Sequence, residues 1–214
     1  MHRIHTTILA ALAALFVGTG AHASIIFGAN LTNGQENPPT VPTLSTGGPR
    51  PASFGFATFV LNDAMTAMTM SATIFNIDVT GTQTADTNDN LIAAHIHAGP
   101  NNPPVNNPVV WGFFGMPFND NNPNDFAMTP FASGVGGTFS GKWDAPEGNM
   151  TTLAAQIPNI LAGRAYINFH TVQFGGGEIR GALLVPEPST IALLGLAALG
   201  LIGFGWRRPA VVRS

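Results

Sequence analysis

From Met68 to Ile74 apolar and polar residues alternate without a break. Met68, Met70, Ala72 and Ile74 fall on one side and Thr69, Ser71 and Thr73 on the other. A period of two is the signature of a strand with one face on a core and one in water, and no helix can satisfy it. Similar short runs recur along the chain, at residues 24–31, 53–61, 91–97, 108–114, 136–143, 164–171 and 178–184, each bounded by Gly, Pro, Asn or Asp. Those residues punctuate strands by favouring turns. Asn62-Asp63 and the triple glycine at 175–177 are the clearest turn signals. One segment, 151–161, reads as a short helix, with Thr151 or Thr152 as its cap and Pro158 limiting its length. The expected fold is all-β, an antiparallel Greek-key-like β-sandwich of seven or eight strands with one short helix. The stretches 35–50 and 119–130, rich in Pro, Asn and Asp, are expected to be loops within it.

The chain has no cysteine, so disulfides, thiolate metal sites and cysteine nucleophiles are excluded. Such a domain must be held by burial and backbone pairing, which its length allows. Between Ser24 and Val185 only Arg50, Lys142, Arg164 and Arg180 are basic, against ten acids. A net-acidic surface with scattered cations cannot neutralise a run of phosphates, so nucleic acid is not an expected partner.

Both ends differ from the middle. Arg3 precedes an apolar run from Ile8 to Val17, then Gly18, Gly20 and Ala21-His22-Ala23. This is the pattern of a signal peptide, residues 1–23, cut after Ala23, with Ala21 and Ala23 as the small residues of the site. It makes the Sec translocon and signal peptidase the first expected partners. At the other end Pro186-Glu187-Pro188 precedes an apolar stretch, 191–206, closed by Arg207 and Arg208. As a helix those residues would reach about 24 Å, a marginal transmembrane span. The arginines beyond it should stay cytoplasmic, leaving residues 24–185 outside. Three parts are therefore expected: 1–23, a β-domain at 24–185, and a tail at 186–214.

The order VPEPST, apolar stretch, Arg-Arg resembles the PEP-CTERM sorting signal of Gram-negative bacteria, with Pro186, Glu187 and Pro188 at the centre of its motif. That resemblance implies an exosortase-type transpeptidase as partner. It also implies an inner-membrane anchor before processing, and the cell envelope or extracellular matrix as destination.

Three histidines remain once the signal is removed: His95, His97 and His170. His95 and His97 stand two apart on one expected strand and share a face. Tyr166, Asn168 and His170 share a face on a later one, and Glu178 with Arg180 on the next. Two imidazoles at i and i+2 and a third from another strand are a familiar donor set for Zn or Cu, with Glu178 as a fourth ligand or an acceptor behind the ligands. The same groups could equally form a hydrogen-bond network that fixes strand register without an ion. Asp86, Asn88, Asp89 and Asn90, and Asn119, Asp120, Asn122, Asn124 and Asp125, offer hard oxygens for Ca, though without the spacing of a calcium loop. No G-x-S-x-G, P-loop, dinucleotide fingerprint or H-E-x-x-H occurs.

AHIHAG at 94–99, LAGRAYINFHT at 161–171, GGEIRGALL at 176–184 and LTNGQENPP at 31–39 together resemble the CHRD domain, with a longer insert around 119–130. The resemblance implies a β-rich extracellular domain with no established catalytic activity. The expected function is a noncatalytic binding or structural module of the envelope or exopolysaccharide matrix. The alternative is a metal-dependent extracytoplasmic enzyme using His95, His97 and His170.

Overall fold

The computed structural model describes residues 24–186 and Leu199. The expected signal peptide at 1–23, Glu187 and Pro188 of the sorting motif, and the apolar stretch 191–206 apart from Leu199 lie outside the described residues. Among the described residues no helix is long and apolar enough to cross a membrane.

Nine strands follow one another: β1 (Ile25–Thr32), β2 (Phe54–Leu61), β3 (Ala67–Phe75), β4 (Leu91–Ala98), β5 (Val109–Phe114), β6 (Ala127–Pro130), β7 (Gly136–Asp144), β8 (Ala165–Thr171) and β9 (Ile179–Ala182). The helix α1 (Leu153–Leu161) lies between β7 and β8, and Thr152 caps it by accepting from the Ala155 N–H. All strand pairs are antiparallel, and the spatial order is β5-β4-β8-β9-β1-β2-β3-β7-β6. The two expected sheets are thus the wings of one curled sheet. They join where Thr32 of β1 pairs with Arg180 of β9 and Gly28 with Leu184.

The wings face each other across an aromatic core. Trp111 of β5 stacks on Trp143 of β7 with ring centres 5.9 Å apart, and Phe169 of β8 meets Phe113 and Phe139 edge-on. All five rings are buried, each contributing roughly 2–3 kcal/mol of transfer free energy. β3 keeps its predicted alternation: Met68, Met70, Ala72 and Ile74 are buried, while Thr69 and Ser71 are exposed.

Residues 119–130, expected to be a loop throughout, end in the short strand β6 on the edge beside β7. Edge position explains how a strand containing Pro130 is tolerated, because one side of it needs no ladder donors. In contrast to β3, every residue of β8 is buried. Its core face packs into the sandwich, and long loops cover the other face.

A candidate metal centre of three histidines

β4 and β8 pair so that Ala93 faces His170, His95 faces Asn168 and His97 faces Tyr166. Residues opposite one another in an antiparallel pair share a face. His95, His97, Tyr166, Asn168 and His170 therefore gather on the outer face of this wing, beneath the covering loops. The loops approach closely because glycine stands where a side chain would collide. A Cβ on Gly112 of β5 would lie 1.8 Å from the Pro117 carbonyl oxygen, and one on Gly99 would lie 2.6 Å from Asn107 Oδ1.

Each imidazole is tied to one backbone carbonyl. His97 Nδ1–H donates to Asn107 O at 2.8 Å, His95 Nε2–H to Met116 O at 3.0 Å, and His170 Nδ1–H to Gly175 O at 3.1 Å. A neutral imidazole has one N–H and one lone pair, and a carbonyl can only accept, so these bonds fix the tautomers. The lone pairs of His95 Nδ1, His97 Nε2 and His170 Nε2 are then left facing inward. Nitrogens of the three rings lie within 4.8 Å of one another, and His95 Nδ1 is 3.1 Å from His170 Nε2. His97 Nε2 has no hydrogen-bond partner.

The rings are held neutral. Burial, reinforced by the neighbouring imidazoles, pushes His95 down to about 3, and burial pushes His97 down to about 4 against the opposing pull of its bond to Asn107. Burial likewise lowers His170. Beside them His97 stacks on Tyr166 with centroids 4.8 Å apart, and the Arg180 guanidinium lies 4.7 Å over the Tyr166 ring. Arg180 donates to Asn106 Oδ1 at 2.9 Å, to Pro104 O at 2.6 Å and to Gln35 O.

Glu178, expected as a fourth ligand or an acceptor behind the ligands, is not brought to the imidazoles. Its carboxylate accepts from Arg50 Nη2, Ser53 Oγ and Thr171 Oγ1. Thr171 follows His170 on β8 and so belongs to the opposite face. The buried acid that approaches the histidine face, through Asn168, is Glu36, 5% exposed, just after the turn that follows β1. A Cβ on Gly177 would lie 2.6 Å from Asn168 Oδ1 and 2.8 Å from Glu36 Oε1, so the two side chains converge there. Burial raises the Glu36 carboxyl to about 7 despite Arg180, whose Nε is 3.8 Å away. Its one sequence signal was its place in the NGQENPP segment.

Most of the calcium candidates are engaged by protein donors, while Asn90 Oδ1 and Asp120 Oδ2 are buried without one. Asp86 accepts from Ser45 and Asn88, Asp89 from Thr84, Asn119 Oδ1 from Gly112 N–H, Asp120 Oδ1 from Asp125 N–H, and Asn124 Oδ1 from Phe126 N–H, while Asp125 pairs with Lys142. Among the described residues, the three histidines are the group of metal-ligand type that meets at one point. This cluster can hold a metal ion.

The family profile described as the CHRD domain matches residues 27–183, and the one described as the PEP-CTERM protein-sorting motif matches residues 184–208. No curated protein and no solved structure matches the chain. A sorting motif of this kind marks an exported, envelope-sorted protein processed by an exosortase-type system.

Proposed function

The chain belongs to the CHRD domain family, and from that premise we propose that it is a noncatalytic module of the envelope or extracellular matrix which holds a Zn or Cu ion on His95, His97 and His170. Two lone pairs held 3.1 Å apart carry this reading. With both N–H groups committed to carbonyls, His95 Nδ1 and His170 Nε2 have no proton to share, and their lone pairs repel. A metal ion removes the conflict, because ligand nitrogens around one ion sit about that far apart. The carbonyls of Met116, Asn107 and Gly175 are the orienting acceptors that metal-bound histidines ordinarily have behind them.

A noncatalytic role is favoured by cover. The three histidines are less than a tenth exposed, beneath the loops that carry Met116 and Asn107. A substrate would have to displace those loops to reach an ion. In this reading Sec export and cleavage after Ala23 deliver residues 24–185, and the tail 186–214 holds the domain at the inner membrane until an exosortase cuts near Pro186, Glu187 and Pro188. The domain then joins envelope proteins or exopolysaccharide.

The test is a thermal melt with Zn²⁺ or Cu²⁺, comparing wild type with a His95→Ala, His97→Ala double variant. Wild type should melt higher with metal and the variant should not. Equal shifts would remove the metal from the reading. Fractionation tests the destination: the processed protein should be retained in the extracellular polymer, and its recovery only from cytoplasm would overturn the sorting.

A further inference from the structure

Two more buried acceptors lack a donor: Asn168 Oδ1, on the face that carries His95 and His170, and Glu36 Oε1, which meets Asn168 at Gly177. Their side chains belong to residues 2% and 5% exposed. Asn168 faces His95 across the β4–β8 pair and shares a strand face with His170, and it meets Glu36 at Gly177. His97 Nε2 is likewise without a partner, so three orphaned polar atoms belong to side chains linked through Asn168. Acceptors left dry against one another are costly unless a cation or a donor is placed among them.

Charge narrows the choice. Three neutral imidazoles contribute none, so a bound dication would add two positive charges to an interior that already holds Arg180. Two buried carboxylates are near enough to matter, and Glu178 is neutralised by Arg50 at its own oxygens. Glu36 is not committed in this way. Arg180 spends its donors on Gln35, Pro104 and Asn106, and its Nε stands 3.8 Å from Glu36 Oε2. The groups facing Glu36 are Arg180, the more distant Glu178 and the Asn37 N–H.

We propose that Glu36, acting with Asn168, is the counter-charge of the histidine centre. A carboxylate there would offset the charge of a bound dication and could accept from a water that the ion carries, and so make the centre prefer dications to soft monocations. The proposal rests on the three-histidine reading above. A monocation such as Ag⁺ is satisfied by imidazoles and polarises little water, whereas Zn²⁺ keeps a strongly donating water that needs an acceptor.

Titration of the purified full chain with Zn²⁺ and, separately, Ag⁺ tests it. Glu36→Gln should weaken Zn²⁺ binding ten- to a hundredfold and Ag⁺ binding only by the square root of that factor, about three- to tenfold, because the attraction scales with the ion's charge. Adding Asn168→Asp to that variant returns a carboxylate to the same region and should recover most of the Zn²⁺ affinity. Asn168→Ala gives a second route to the loss of preference should Glu36→Gln fail to fold. Equal weakening of both ions, or none, overturns the proposal while the histidine reading stands. A folded wild type that binds neither ion ends both.

Discussion

Two buried carboxylates lie on either side of the β8–β9 hairpin, and they are treated differently. Glu178 is fully covered and both its oxygens are taken by Arg50, Ser53 and Thr171. Glu36 is nearly as covered, yet one of its oxygens has no donor and its carboxyl is pushed up to about 7. Glu178 closes a network that pins the long loop 33–53 to the sheet, helped by Asn33 and Thr40, which donate to its carbonyl. Glu36 meets Asn168 at Gly177, and each keeps an oxygen without a donor. Full satisfaction at one site and shared deficiency at the other separates a structural cluster from a binding one.

The comparison breaks or sharpens under four changes. Glu178→Gln leaves the Arg50 cation buried without its anion and should cost about 3–5 kcal/mol, read by urea unfolding. A loss below 1 kcal/mol would mean that Glu178 is not the clasp described. Acid should act on the other cluster. His95 and His97 are held neutral, with values of about 3 and 4, whereas the unfolded chain protonates them near 6.5. The unfolded state therefore binds more protons as pH falls below 6.5, and metal-free protein should lose stability through that window down to about pH 3. At pH 4 the His95 contribution alone is ~3 kcal/mol. His95→Asn should make the profile between pH 6.5 and 4 shallower, leaving the slope that His97 and His170 contribute.

Next in size is Gly177→Ala, expected to cost about 1–3 kcal/mol. It puts a side chain at a φ of 125° and against Asn168 and Glu36. It should also weaken Zn²⁺ binding, which the Glu178 variant should do only through stability. The smallest effect has the opposite sign. Glu36 keeps its proton to about pH 7 when folded but loses it near 4.5 when unfolded, so it withdraws stability as pH rises between those values. Metal-free Glu36→Gln should be more stable than wild type at pH 8 by on the order of 1–2 kcal/mol, and no more stable at pH 4. A glutamine variant less stable at pH 8 would mean that Glu36 is already satisfied.

The sequence carried the strands well and the loops poorly, for a physical reason. Alternation reports which face of a strand is dry, so β3 could be read residue by residue and the shared face of His95 and His97 followed at once. β8 is dry on both faces, and nothing in its own pattern says that loops 99–107 and 115–119 cover the outer one. Those contacts join residues far apart in sequence through single glycines and backbone carbonyls, which have no periodic signature. The exchange of Glu178 for Glu36 has the same origin. Counting from the glycine turn puts Glu178 beside His170. The structure instead gives it a backbone bond to Phe169 O and turns its carboxylate to Thr171. β6 escaped notice because four residues ending in proline are too few to show alternation.

Leu184 exchanges two backbone hydrogen bonds with Gly28, at 2.8 and 3.0 Å, just before Pro186. In a chain threaded N-terminus first by the Sec export proposed above, β1 reaches the far side of the inner membrane among the first segments, and the partner that completes its ladder arrives last. The two wings consequently cannot be clasped while transport is under way. The clasp forms only as the final residues of the domain emerge, next to the segment that the sorting machinery reads. On that route, completion of the sheet coincides with arrival of the sorting motif.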